Sequence, residues 1–170
     1  IPHPVWPMSS NLTNNAEKYC YYNSPLGKML IKGTDKALTG VYFDGQKHAP
    51  DVSGLKKDAA AFAETVKQLD EYFTGKRSTF NLKTETKGTP LQQKIWDELN
   101  KIKFGMKLTY SEIAARIGQP KAVRAVGTAI GKNPISIITP CHRVVGKNGS
   151  LIGFAGGLHR KEALLKLEAK

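Results

Sequence analysis

Between residues 18 and 43 the apolar positions come in short runs separated by turn residues. Tyr19-Cys20-Tyr21-Tyr22 leads into Asn23-Ser24-Pro25-Leu26-Gly27, and the runs 28–32 and 38–43 flank Gly33-Thr34-Asp35-Lys36. Runs of this length between Gly, Pro, Asn and Asp predict short strands joined by hairpin-type turns. Residues 45–54 are polar and read as loop. From 57 to 73 the period changes: Phe62, Val66, Leu69 and Phe73 recur at spacings of four, three and four. That is the apolar stripe of one helix, which Gly75 stops. Phe80 and Leu82 suit one more edge strand. The first half therefore predicts a small antiparallel sheet with one helix, carries no catalytic set, and serves as support.

Residues 84–88 are charged, polar and end in glycine, which places a domain joint there. The chain then divides into an irregular tail (1–17), an α/β supporting domain with its connector (18–87) and a mostly helical domain (88–170). Thr89-Pro90-Leu91-Gln92 is a capping box with proline at the first helical position, so two side chains satisfy amides that the helix leaves unpaired. Leu91, Ile95, Leu99 and Ile102 form that helix's buried face, with Trp96 alongside. Gly105 breaks the chain. Thr109-Tyr110-Ser111-Glu112 is a second capping box and opens a short helix with Ile113 and Ile117 inside. Gly118-Gln119-Pro120 turns into a further helix over 121–130, and two short helices joined by a tight turn resemble a helix-turn-helix. On the second of these, steps of about 100° per residue put Val126 and Ile130 within roughly 60° of Val123. Lys121, Arg124, Ala125 and Thr128 gather on the opposite side, a face that is either solvated or suited to a phosphate backbone. The last helix, 158–168, places Leu158, Glu162 and Leu165 on one stripe.

Charge tips the balance toward the phosphate backbone. The chain carries 26 Lys+Arg against 14 Asp+Glu, a net +12. Residues 1–87 contribute +3 and residues 88–170 contribute +9. A polyanionic partner, nucleic acid before anionic membrane, is expected on the second half. No apolar run approaches membrane-spanning length, and the opening Ile1 to Ser10 lacks a basic-then-hydrophobic signal layout. Cys20 and Cys141 stand far apart, so neither a disulfide framework nor paired zinc-ligand spacing is present. A reducing cytoplasmic or nuclear compartment fits that usage.

Cys141 holds the candidate chemistry. It lies in Pro140-Cys141-His142-Arg143-Val144, after the apolar Ile135, Ile137 and Ile138 and before a glycine-rich segment. A thiol becomes a good nucleophile when a cation or imidazole helps to deprotonate it. Asn133 is either a turn residue or an amide tie between the helix-turn-helix and this segment. Glu162, a carboxylate among leucines, either pairs with His142 or Arg143 or sits at the boundary beside Lys161 or Lys166. Gly153-Phe154-Ala155-Gly156-Gly157 is a small-residue loop that lets its backbone run close to a flat ligand.

Read together, Asn133-Pro134-Ile135, the cysteine pentapeptide and Gly156-Gly157-Leu158 resemble the O6-alkylguanine-DNA alkyltransferase family. Tyr72-Phe73-Thr74-Gly75, residues 90–96 and residues 109–129 extend the resemblance over nearly the whole chain. It implies an α/β N-terminal domain with a small antiparallel sheet, followed by a mostly helical domain with a helix-turn-helix. It implies that Cys141 accepts an alkyl group, that His142 is a base working through a water, and that Glu162 orients the imidazole. Asn133 would link recognition segment and active site, and Tyr110 would assist base handling or proton transfer. Arg124 would enter the duplex and replace the flipped nucleotide. Lys121, Ala125, Thr128, Thr109, Ser111 and Arg143 would accompany it on DNA. Phe154, Ala155, Gly156, Gly157 and Ile130 would shape the pocket.

The implied partner is double-stranded DNA, met through the minor groove by a protein that is monomeric or assembles cooperatively on it. Such a protein is cytoplasmic and nucleoid-associated when bound, or nuclear in a eukaryote. Phe154 and Ala155 stand where some relatives carry hydroxyls. Neither a cofactor nor a metal is expected, since Cys20, His3 and His48 form no recognisable ligand set. Competing readings are a lesion-binding protein without transfer, a cysteine hydrolase, and a basic protein with an inert cysteine.

Overall fold

The computed structural model describes residues 16–169; residues 1–15 of the expected tail, with His3, lie outside them. Strands β1 (Lys18–Ser24), β2 (Gly27–Gly33) and β3 (Leu38–Phe43) form the predicted antiparallel meander. Side-chain alternation sends Cys20, Tyr22, Met29, Ile31, Val41 and Phe43 to one face, where all are buried. Helix α1 (Ala63–Phe73) covers that face with Leu69 and Tyr72. Burying a side chain of that size stabilises by about 1.5–3 kcal/mol.

The expected helix over 57–73 is shorter than its apolar stripe. Lys56–Lys57 form β4, which pairs parallel with β1, so the sheet is mixed rather than wholly antiparallel. Asp58 then accepts from the Ala61 amide at 3.3 Å and caps a 3₁₀ turn, Ala59–Phe62, before α1 begins. A short acidic side chain accepting a first-turn amide is an N-cap, so the helical segment starts after Asp58 and not at 57. Phe80 and Leu82 pack on the core without forming a strand. Their segment meets β3 at one bridge, Leu38 to Thr84.

The same edge of β3 also receives the second half of the chain. The Val41 amide donates to Pro134 O at 2.8 Å, and the Ser136 amide donates to Val41 O at 2.9 Å. Ser136 Oγ donates to the buried Gln46 Oε1 at 3.2 Å. The segment leading to Cys141 is thus docked on the N-terminal sheet, which gives the supporting role a physical form.

The second half is mostly helical, with α2 (Pro90–Leu99), α3 (Tyr110–Arg116), α4 (Val123–Gly131) and α5 (Leu158–Glu168). Both predicted capping boxes close reciprocally: Thr89 with Gln92, and Thr109 with Glu112. Ile95, Trp96, Leu99, Ile113, Val126 and Ile130 share one core, and Trp96 Nε1 donates to Ala129 O at 2.9 Å. Helices α3 and α4 form the helix-turn-helix arrangement. Lys121 lies in its turn rather than in α4, because Gly118 adopts φ 76° and the Ala122 amide closes back on Gln119 O. Strands β5 (Leu108–Thr109) and β6 (Val144–Val145) pair parallel.

On α5 the buried stripe is Lys161, Leu164 and Glu168, not Leu158, Glu162 and Leu165. Leu158 is 46% exposed. Among the described residues, no helix is long and apolar enough to cross a membrane.

Candidate active site

Cys141 opens a buried 3₁₀ turn, Cys141–Arg143. The backbone before it is tightly folded. Asn133 Nδ2 donates to Thr139 O at 2.9 Å and Ile135 O at 3.2 Å, while its Oδ1 accepts from the Ile135 amide at 3.1 Å. Asn133 is therefore an amide tie from the end of α4 to the cysteine segment. Inside that segment Ile137 sits at φ 71°, a conformation that costs a β-branched residue about 1–3 kcal/mol. The ties at Val41, Gln46 and Asn133 hold it there.

The β5–β6 pair sets Tyr110, one residue past β5, beside the turn that ends at Arg143. Cys141, Tyr110, Val123, Ile130, Phe154 and Ala155 line a cavity of about 380 Å³, within the size range of sites for small flat ligands. Gly127, Gly131, Ile152 and Gly153 complete its wall. The first three were not foreseen. Gly156 and Gly157 do not line it: Gly156 is buried behind Phe154, and Gly157 precedes α5.

His142 is fully buried, and its Nε2 lies 2.6 Å from Glu168 Oε2. With Nε2–H donating to that carboxylate, the neutral ring leaves Nδ1 as an acceptor. Nδ1 has no hydrogen-bond partner among the described residues. The expected partner, Glu162, is exposed and pairs with Lys166 at 3.1 Å. One stripe of α5 faces solvent and the other faces His142, so the acid of this pair is Glu168. Arg143, expected on DNA, is also buried. Its Nε donates to Glu168 Oε1 at 2.7 Å and its Nη1 to Ile102 O at 2.6 Å. The turn backbone points it inward, where it neutralises Glu168. Tyr72 donates to the same carboxylate.

Burial pushes the Glu168 carboxyl up, but the bonds from His142 and Arg143 outweigh it and hold the group down at about 2. Burial lowers the His142 pKa despite Glu168, so the ring is neutral and able to accept a proton. Burial pushes the Cys141 thiol up. The nearby Asn133 amide, the charge of Lys161 and the amides of Cys141 and His142 oppose it.

Residues 18–86 match the ribonuclease-like domain of 6-O-methylguanine DNA methyltransferase, and residues 90–170 match its DNA binding domain. The methylated-DNA–protein-cysteine methyltransferase of Haemophilus influenzae is 45% identical over 88% of this chain and 85% of its own. That of Mycobacterium leprae is 44% identical over 86% of this chain and 88% of its own. The crystal structure of Mycobacterium tuberculosis OGT in complex with DNA superposes with a TM-score of 0.86 at 41% identity, covering 89% of this chain and 92% of that one.

The chain belongs to the methylated-DNA–protein-cysteine methyltransferase family.

Two further features of this methyltransferase bear on its site. Lys161 is wholly buried, donates to Gly153 O at 3.1 Å and lies 5.7 Å from the Tyr110 ring centroid. Burial pushes its pKa down to about 8, against the pull of Cys141. In the sequence Lys161 stands out only as a boundary partner for Glu162; its seven-residue spacing to Glu168 is the signal for the buried stripe. On the outer side, Lys121, Arg124, Ala125 and Thr128 are all exposed and share a groove with Thr89 and Gln92 at the start of α2. The Thr128 hydroxyl is turned back onto Arg124 O at 3.1 Å. Thr109 is occupied as a helix cap, and Ser111 beside it is exposed.

Proposed function

We propose that this methyltransferase reverses O6-alkylation of guanine in DNA by moving the alkyl group onto its own Cys141. One observation carries the reading: Cys141 lines a cavity of about 380 Å³ between the helix-turn-helix and the 153–155 loop, and the next residue, His142, is paired with buried Glu168. The thiol proton passes through a bridging water to His142 Nδ1, and Glu168 stabilises the imidazolium that forms. The thiolate attacks the alkyl carbon as the carbon–O6 bond breaks. The departing purine takes back one proton and leaves as guanine. Tyr110, whose hydroxyl donates to Ile152 O at 2.9 Å, lines the cavity and can turn that donor to the purine. The product is a thioether with no route back, so each molecule reacts once.

The reacting carbon lies inside the base stack, so the nucleotide must leave the duplex to reach Cys141. Exposed Arg124 on α4 has the reach to fill the gap. Small Ala125 and Thr128 let the helix approach the minor groove, whose sparse code suits repair at any sequence. Cys141→Ser tests this directly. The variant should bind duplex carrying O6-methylguanine as tightly as the unaltered protein and transfer nothing. Loss of binding along with transfer would make Cys141 a structural residue.

A further inference from the structure

The loop that walls the cavity is clamped from behind by the N-terminal sheet. Arg160, in the first turn of α5, donates from Nε to Leu26 O at 3.0 Å, in the turn between β1 and β2. Its Nη1 donates to Asp44 O and to Gly156 O, each at 3.1 Å. Its guanidinium carbon lies 4.8 Å from the ring centroid of Phe43, the last residue of β3. Phe43 is buried and meets Phe154 edge-on at 6.4 Å. The packing is close: a Cβ on Gly156 would come within 2.8 Å of both Phe43 Cδ2 and Phe154 Cε2. A Cβ on Gly27 would come within 3.1 Å of Arg160 Nη2.

A planar guanidinium bonding three backbone carbonyls fixes main-chain positions rather than a flexible side chain. The loop it fixes has left-handed glycines at both ends, Gly153 at φ 67° and Gly157 at φ 96°, and one backbone bond of its own, from the Gly157 amide to Phe154 O at 2.9 Å. Lys161 grips Gly153 O from the cysteine side. Arg160, the preceding residue, grips Gly156 O and carries the load to the sheet. We propose that Arg160 and Phe43 determine specificity for alkyl size: through them the N-terminal sheet sets how far Phe154 and Ala155 stand from Cys141. The inference rests on the alkyl-transfer reading above. One methylene more or less in an apolar pocket changes selectivity by roughly 10–200-fold, so a small retreat of this wall is enough to be read.

The test is a competition in one tube. Duplexes carrying O6-methylguanine and O6-butylguanine are mixed, and methyl and butyl adducts on Cys141 are counted by mass. Their ratio does not depend on how much of a variant is folded. Arg160→Ala should raise the butyl-to-methyl ratio on the order of tenfold, and Arg160→Lys should raise it less. Phe43→Leu should raise it too, without adding to Arg160→Ala. A ratio unchanged or lowered in both Arg160→Ala and Phe43→Leu overturns the inference and leaves the transfer chemistry standing. No adduct from either duplex on the unaltered protein would instead refute the alkyl-transfer reading.

Discussion

Replacing Glu168 with glutamine keeps the shape of the side chain and removes its charge. In the native site the carboxylate accepts from His142 Nε2 at 2.6 Å, Arg143 Nε at 2.7 Å, Arg143 Nη2 at 3.1 Å and the Tyr72 hydroxyl. An amide offers one oxygen to these donors and turns its own N–H groups toward the rest. Arg143 then stays buried without a counter-charge, and breaking a buried pair on one side costs about 3–5 kcal/mol. For a chain of this length that lowers the melting temperature by roughly 10 °C. Loss of the oriented imidazole should also slow transfer by roughly 10²–10⁴-fold, the usual worth of general base catalysis. Glu162→Gln is the control. It disturbs an exposed pair worth about 0.3–0.5 kcal/mol and should leave melting and rate as they were. Thermal unfolding followed by circular dichroism reads the first effect. Single-turnover transfer, normalised to the reactive cysteine titrated in each sample, reads the second. If Glu168→Gln melts within a degree of the unaltered protein and reacts as fast, or if Glu162→Gln does the damage, the assignment of the acid is wrong.

Acid should weaken the fold in two stages. His142 is held neutral, so the unfolded chain gains a proton below the ordinary 6.5 that the folded chain resists. Glu168, held at about 2 against an ordinary 4.5, supplies stability that is whole above 4.5 and lost as pH falls to 2. That second loss is about 3 kcal/mol; urea midpoints taken from pH 7 to 2 should show it, and Glu168→Gln should lack it. Lys161→Met removes the cation that favours the Cys141 thiolate and should move the acidic limb of the transfer rate up by on the order of one pH unit; an unmoved limb would limit Lys161 to holding Gly153. Arg124→Ala should slow transfer from duplex DNA by roughly 10²-fold and leave reaction with a free O6-alkylguanine base unchanged; equal effects on both substrates would remove Arg124 from the duplex.

Much of this molecule was legible in the chain itself, and for local reasons. Thr89 with Gln92 and Thr109 with Glu112 are self-contained signals, because three-residue spacing alone closes a capping box. Strands β1 to β3 follow from turn residues, and the Cys141–His142 contiguity is explicit. What periodicity misplaced is the buried side of α5. Hydrophobic spacing favours the stripe with two leucines, 158 and 165, yet the core-facing stripe bears Lys161 and Glu168. Those charges are tolerable inside because distant groups meet them: Arg143, His142 and Tyr72 for one, and the Gly153 carbonyl for the other. Arg143 went wrong for the same reason, since its partner could not be placed from spacing. Phe80 and Leu82 carried strand-like character, but a single bridge at Thr84 is all that the edge of β3 gives that segment. The clamp from Arg160 to Leu26 spans 134 residues and uses carbonyls, which leave no mark in a sequence.

The intact mass of the protein after incubation with a duplex carrying O6-methylguanine tests the central claim most directly. Methyl incorporation should rise to one group per molecule and stop, with peptide mapping placing it on Cys141 and guanine restored in the duplex. A protein that binds the lesion with its mass unchanged, or that carries the methyl group on another residue, would contradict the account.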